Sequence, residues 1–183
     1  MIKNKIFFFL IILSITYNAE ASLKKNIITK LQDTTSLVFD FNQTIDNKIN
    51  EGSCQLLYPK KILCEYRDRY NKIIISDGKK LILKNKSIDQ VYSYDLNKTP
   101  LKIILDKEFL IEKIKFSNIN TLENNKSSLY IKEDNLIFEI FFNSENYNIL
   151  GWKTIDIYQN TIYFEIYNLK LNIILSDKIF DTN

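Results

Sequence analysis

A mainly β, antiparallel fold with short helices is what this 183-residue chain predicts, on three observations. From Leu37 onward, apolar and polar residues alternate with a period of two. Turn-forming residues interrupt that alternation at Gly52, Pro59, Asp68 to Asn71, Asp77-Gly78 and Asn85 to Ser87. The intervals leave room for hairpins but none for helical crossovers, so the sheet reads as an antiparallel meander.

Residues 1–21 precede this pattern and read as a secretory signal peptide. Lys3 and Lys5 stand before the apolar run Ile6 to Ile15, and Ala19-Glu20-Ala21 supplies small residues for cleavage near Ala21. A membrane anchor is the alternative, but the run falls short of the roughly 20 residues needed to span a bilayer. Residues 22–183 then form a single domain in an exported, periplasmic chain. Ser22 caps a helix over about 22–35, with Leu23, Ile27, Ile28 and Leu31 on one face and Lys24, Lys25, Lys30 and Asp33 on the other.

The first strand runs from Leu37 to Ile45, and further strands are expected near 53–58, 62–67, 72–76, 80–84 and 88–94. Thr99 and Pro100 open a second short helix through Asp106, with Leu101, Ile104 and Leu105 on its apolar face. Residues 108–116 fit a helix or a strand equally well, and 118–127, rich in asparagine, read as a loop. Strands follow near 128–132, 136–142, 149–157, 161–167 and 169–175. Asp77-Gly78-Lys79 fits a tight turn with Gly78 at positive φ.

Composition removes several function classes. The formal net charge is +3 with no basic block, so there is no electrostatic footprint for nucleic acid. The chain has no histidine and only two cysteines, which leaves Ser-His chemistry and zinc hydrolysis without their usual groups. Carboxylates such as Glu65 and Asp68 are scattered rather than paired across a cleft, so no enzyme and no cofactor are expected.

Cys54 and Cys64 lie five residues either side of Pro59 and would face each other in a hairpin centred there. A disulfide would contribute about 3 kcal/mol on the chain-entropy account. Buried free thiols acting as small apolar groups are the other reading. Phe39, Phe41, Tyr66 and Tyr92 either line a cavity or fill a solid core, since any half-buried sheet alternates aromatic residues in this way. Gln43 suits a cavity mouth or an ordinary cross-strand contact.

The order of residues carries more. A helix is followed by an aromatic strand ending in Phe41-Asn42-Gln43, then Gly52, Pro59, Glu65-Tyr66, Ile75-Ser76-Asp77-Gly78-Lys79, Gln90-Val91 and Thr99-Pro100-Leu101 with Leu105. Asp156, Asn160-Thr161, the run Asn168 to Asn172 and Phe180 complete it. This series resembles the outer-membrane lipoprotein carrier family, LolA, over nearly the whole of residues 22–183.

The resemblance implies an unclosed, strongly curved antiparallel β barrel of about 10–11 strands, with a helical lid over an apolar cavity. It implies a monomeric periplasmic carrier that binds the acyl chains of lipoproteins. Such a carrier receives cargo from an ATP-driven extraction complex in the inner membrane and passes it to an outer-membrane receptor. Hairpin parity then nominates Phe39, Phe41, Leu56, Tyr58, Ile62, Tyr66, Ile74 and Tyr92 for the acyl-chain cavity. The lid would present Leu23, Ile27, Leu31, Leu101, Ile104 and Leu105.

The chain departs from the family pattern before the hairpin proline, where relatives commonly carry an arginine that holds the lid and this sequence has Tyr58. A phenol lacks both the charge and the fork of a guanidinium. Cys64 stands where relatives are often aromatic, and the C-terminal extension of some relatives is expected to be shortened or absent. A lipid- or glycolipid-binding sensor on the same fold and a structural β domain are the competing readings.

Overall fold

In a computed structural model the described residues are 21–133, 136–156 and 159–182. The expected signal peptide, apart from Ala21, lies outside them. A helix, α1, occupies 21–33. It is followed by β1 (Ser36–Ile45), β2 (Lys48–Leu57), β3 (Lys61–Tyr66), β4 (Lys72–Asp77), β5 (Lys80–Asn85) and β6 (Gln90–Asp95). A 3-10 turn, Leu96–Lys98, leads to α2 (Lys102–Leu105) and α3 (Lys107–Phe116). The chain then re-enters the sheet as β7 (Ile119–Thr121), β8 (Lys126–Glu133), β9 (Leu136–Asn143), β10 (Ile149–Ile155) and β11 (Thr161–Leu171), and closes with a 3-10 turn at Asp177–Phe180.

Among the described residues all strands join one antiparallel sheet of 11, in the order β6-β5-β4-β3-β2-β1-β11-β10-β9-β8-β7. The two ends of that order do not pair, so the sheet is not closed into a barrel, and α2 and α3 link its two edges in sequence. The fold is therefore mainly β with an unclosed antiparallel sheet and a few short helices, as the sequence predicts.

Register follows from burial. Leu37, Phe39 and Phe41 alternate inward along β1, which β2 and β11 flank. Asp46 and Asn47, both at positive φ, make the two-residue turn into β2, so the strand begins at Lys48 rather than near 53. Gly52 is therefore an interior strand residue and not a boundary. Residues 161–167 and 169–175, read as two strands, are largely one. Asn168 adopts a left-handed φ of 52° and is accommodated as a bulge between the pairs Val38–Lys170 and Asp40–Tyr167, and β11 continues to Leu171.

Residues 108–116 are helical, with Leu110, Ile111 and Ile114 buried. Asp106 caps α3 by accepting a hydrogen bond from the Phe109 N–H. Part of the expected loop at 118–127 pairs as β7 and the start of β8. Pro100 sits in a turn before α2 rather than in its first position.

Ile27 and Leu31 of α1, Leu105 of α2 and the apolar side of α3 pack with the inner residues of the sheet in one core. Ile73, Ile75 and Ile82 are buried on the opposite face of β4 and β5. The C-terminal turn lies against β3 and β4, with Phe180 buried and Asp177 paired to Lys61 at 2.5 Å. At the tip of β4, Gly78 has φ +99°, and the Asp77 carboxylate accepts from the N–H groups of Lys79 and Lys80.

Candidate functional site

The helices cover only part of the concave face, and the remainder is an open cavity of about 580 Å³. Its wall includes Leu81 and Leu83 of β5 and Tyr94 of β6 on one side. Phe138 of β9, Trp152 of β10 and Ile162 and Phe164 of β11 stand on the other. Those strands are far apart in sheet order, so one cavity between them requires the sheet to curve strongly.

An aromatic row crosses the cavity floor. Trp152 stacks on Phe164 with ring centroids 4.0 Å apart, Phe164 stacks on Phe41 at 4.6 Å, and Phe41 meets Tyr66 edge to face at 4.9 Å. Phe41 is on β1 and Tyr66 on β3, with β2 between them, and they touch because the residue opposite both is Gly52. A Cβ there would lie 2.5 Å from Phe41 Cζ and 2.4 Å from the Glu65 carbonyl oxygen. The glycine is needed for close approach of the ring.

Ile62, Tyr66 and Ile74, named from hairpin parity, line the cavity. Phe39, Phe41 and Leu56 are buried in the core beside it, and Tyr58 packs partly buried against that core. Tyr92 shares a face with Leu83 by register, yet it is 46% exposed and its hydroxyl donates to Gln90 Oε1 rather than meeting the cavity. Sequence reasoning did not name Phe138, Trp152, Ile162 or Phe164. Their signal was the same period-two alternation on β9, β10 and β11.

Cys64 is also part of the wall and is joined by a disulfide to Cys54, its direct cross-strand partner. Two hydroxyls at the cavity are satisfied within the protein, Thr154 Oγ1 donating to the Ile137 carbonyl and Thr99 Oγ1 to the Leu96 carbonyl, whereas the buried Gln43 Oε1 has no hydrogen-bond partner among the described residues. Gln43 faces the Tyr66 hydroxyl, and burial pushes that phenol well above its usual range, so it is neutral. Lys72 lies over the Tyr66 ring at 3.5 Å, and its own burial lowers its pKa.

Among the expected lid residues, Leu101 lines the cavity. Ile27, Leu31, Ile104 and Leu105 are core residues with Leu23 partly buried against them. α1 and α2 are held to the turn between β2 and β3 and to its neighbours. Tyr58 Oη reaches the Ile104 carbonyl only at 3.4 Å, a long contact for a hydroxyl donor. Positive charge comes from neighbouring positions instead. Lys60 donates its N–H to the Leu105 carbonyl and pairs through Nζ with Asp106 at 2.9 Å. Lys107 Nζ lies 5.3 Å from the Tyr58 ring and donates to the carbonyls of Gln32 and Thr34 at the end of α1.

The outer membrane lipoprotein carrier protein LolA family model matches residues 32–183. The chain belongs to the LolA family. Among solved structures, an uncharacterized conserved protein from Thermus thermophilus aligns with a TM-score of 0.54 at 8% identity, over 87% of this chain and 91% of that one. A LolA superfamily protein from Nitrosomonas europaea aligns with a TM-score of 0.47 at 9% identity, over 89% and 97%. A putative outer membrane lipoprotein-sorting protein domain from Vibrio parahaemolyticus aligns with a TM-score of 0.46 at 10% identity, over 85% and 94%. At such identities the Thermus structure supports the fold alone. No curated protein matches the chain in sequence.

Proposed function

We propose that this protein is a periplasmic carrier that holds the acyl chains of lipid-modified proteins in its apolar cavity and moves them between the inner and outer membranes. The observation that carries the reading is the cavity. It is partly open, bordered by Lys98 to Leu101 just before α2 and floored by Trp152, Phe164 and Tyr66, in a chain of the LolA family. An exposed acyl chain costs about 0.8 kcal/mol per methylene, so one long chain costs on the order of 10 kcal/mol in water. An apolar concave wall removes that cost without directional bonds, so cargo can leave for a second apolar site. An ATP-driven extraction complex would supply the cargo and an outer-membrane receptor would take it.

The signal peptide expected at residues 1–21 and the disulfide on the cavity wall suit an oxidising, exported location. The test is transfer. The purified protein is added to spheroplasts depleted of their own carrier, and release of outer-membrane lipoproteins into the soluble fraction is measured. Soluble one-to-one complexes are the expected result. Lipid binding without release would refute the carrier reading and leave a lipid-sensing module.

A further inference from the structure

The two edges of the sheet are not alike. At one end β7 has only three residues, Ile119–Thr121, which is one way proteins blunt an edge. At the other, β6 presents six residues, Gln90-Val91-Tyr92-Ser93-Tyr94-Asp95, every one of them exposed, with neither lysine nor proline among them. Val91, Tyr92 and Tyr94 are 59%, 46% and 49% exposed. Among the described residues no strand pairs with the far side of β6.

The ladder determines what that side offers. The Leu96 N–H donates to the Lys79 carbonyl, so hydrogen-bonded pairs alternate from there: Leu81 with Tyr94, Leu83 with Tyr92 and Asn85 with Gln90. Val91, Ser93 and Asp95 occupy the intervening positions and direct both N–H and C=O away from β5. That row of alternating donors and acceptors matches an extended polypeptide backbone and nothing smaller.

The edge is also continuous with the cavity. Tyr94 and its cross-strand partner Leu81 both line it, as do Lys98 to Leu101 just beyond the strand. We infer that the free edge of β6 is a docking strand for the polypeptide that adjoins a cavity-bound lipid, which adds to the sheet as a twelfth strand. This rests on the carrier reading. A segment lipidated at its N-terminal end would leave the mouth beside Tyr94 and run toward Gln90, antiparallel to β6. Main-chain bonding would fix its path while leaving its side chains largely unread, which suits a carrier of many sequences.

The experiment compares an S-diacylglyceryl cysteine amide with the same lipid carrying six further residues of extended peptide, titrated into the wild type and into Ser93→Pro. Proline at 93 removes an N–H from the free edge and none from the bonds to β5, and edge strands tolerate it. The peptide extension should tighten binding to the wild type by roughly tenfold or more, and the substitution should abolish that gain while the lipid alone binds both proteins equally. Amide exchange at Val91, Ser93 and Asp95 of the wild type should slow with the lipopeptide and not with the lipid alone, a readout that needs no variant.

Equal affinity for the two ligands, with unchanged exchange, overturns the inference and leaves the carrier reading intact. Failure of the lipid alone to bind overturns the carrier reading and the inference with it. A dimer of the free protein that Ser93→Pro dissociates would assign the edge to a second copy of the chain, and that too overturns it.

Discussion

Replacing Gly52 with alanine adds a single methyl group, and its cost follows from the aromatic row. The new Cβ would sit 2.5 Å from Phe41 Cζ and 2.4 Å from the Glu65 carbonyl oxygen, so both the ring and the strand must shift. Overpacking of this kind costs about 1–3 kcal/mol. Displacing Phe41 also weakens its contacts with Phe164 and Tyr66, each contributing about 0.5–1.5 kcal/mol beyond burial.

The loss should total about 2–4 kcal/mol, read as a lower urea midpoint at unchanged slope. A double-mutant cycle separates the two clashes. In a Phe41→Leu background the ring contact is gone but the carbonyl contact remains, so about half of the cost should persist. Because Trp152, Phe164 and Tyr66 share that row and line the cavity, uptake of an apolar fluorophore should fall as well. A neutral Gly52→Ala, or an identical cost in both backgrounds, would refute the claim that the glycine exists to let Phe41 and Tyr66 meet.

Other consequences follow from the polar groups. Hydrogen bonds from Asn168 and then Arg67 hold the Asp40 carboxyl below its ordinary pKa of 3.8, so its stabilisation is present above that value and lost as the pH falls through the native one. Asp40→Asn should therefore lower the melting temperature at neutral pH, with the gap closing in acid. Asp106 both caps α3 and pairs with Lys60, so Asp106→Ala should cost more than Lys60→Met, by about 1 kcal/mol in denaturant titration. Burial raises the phenols of Tyr58 and Tyr66 far above 10, so both should ionise only on unfolding, and stability should fall as the pH rises past 10. Ultraviolet titration with parallel circular dichroism checks this.

Much of the fold was legible in the sequence because one face of the sheet is buried, and period-two alternation reports that directly. The apolar faces of α1 and α2 were visible at Ile27, Leu31, Ile104 and Leu105 because these residues too are buried. What was misjudged were residues that carry a second role. Gly52 looks like a turn and is a gap beneath an aromatic ring. Asn168 looks like a strand end and is a left-handed bulge that also binds Asp40. α3 was ambiguous because apolar residues run together at Phe109, Leu110 and Ile111, a pattern that does not separate a short helix from a strand. The side of the cavity wall from β9 to β11 was missed because the pairing of β11 with β1 is non-local and hairpin parity does not propagate across it. The contacts that hold the helices were similarly hidden, since Lys60 and Lys107 meet their partners only through the tertiary fold.

The central claim is that the cavity holds acyl chains, and the chain carries its own reporter. Trp152 is the sole tryptophan, is 5% exposed and lies on the cavity wall. Titration with a lipid brominated along its acyl chain should quench Trp152 emission and saturate at one lipidated molecule per protein, while iodide in water quenches it little. Emission indifferent to the brominated chain, under conditions where the protein is folded, would contradict the account.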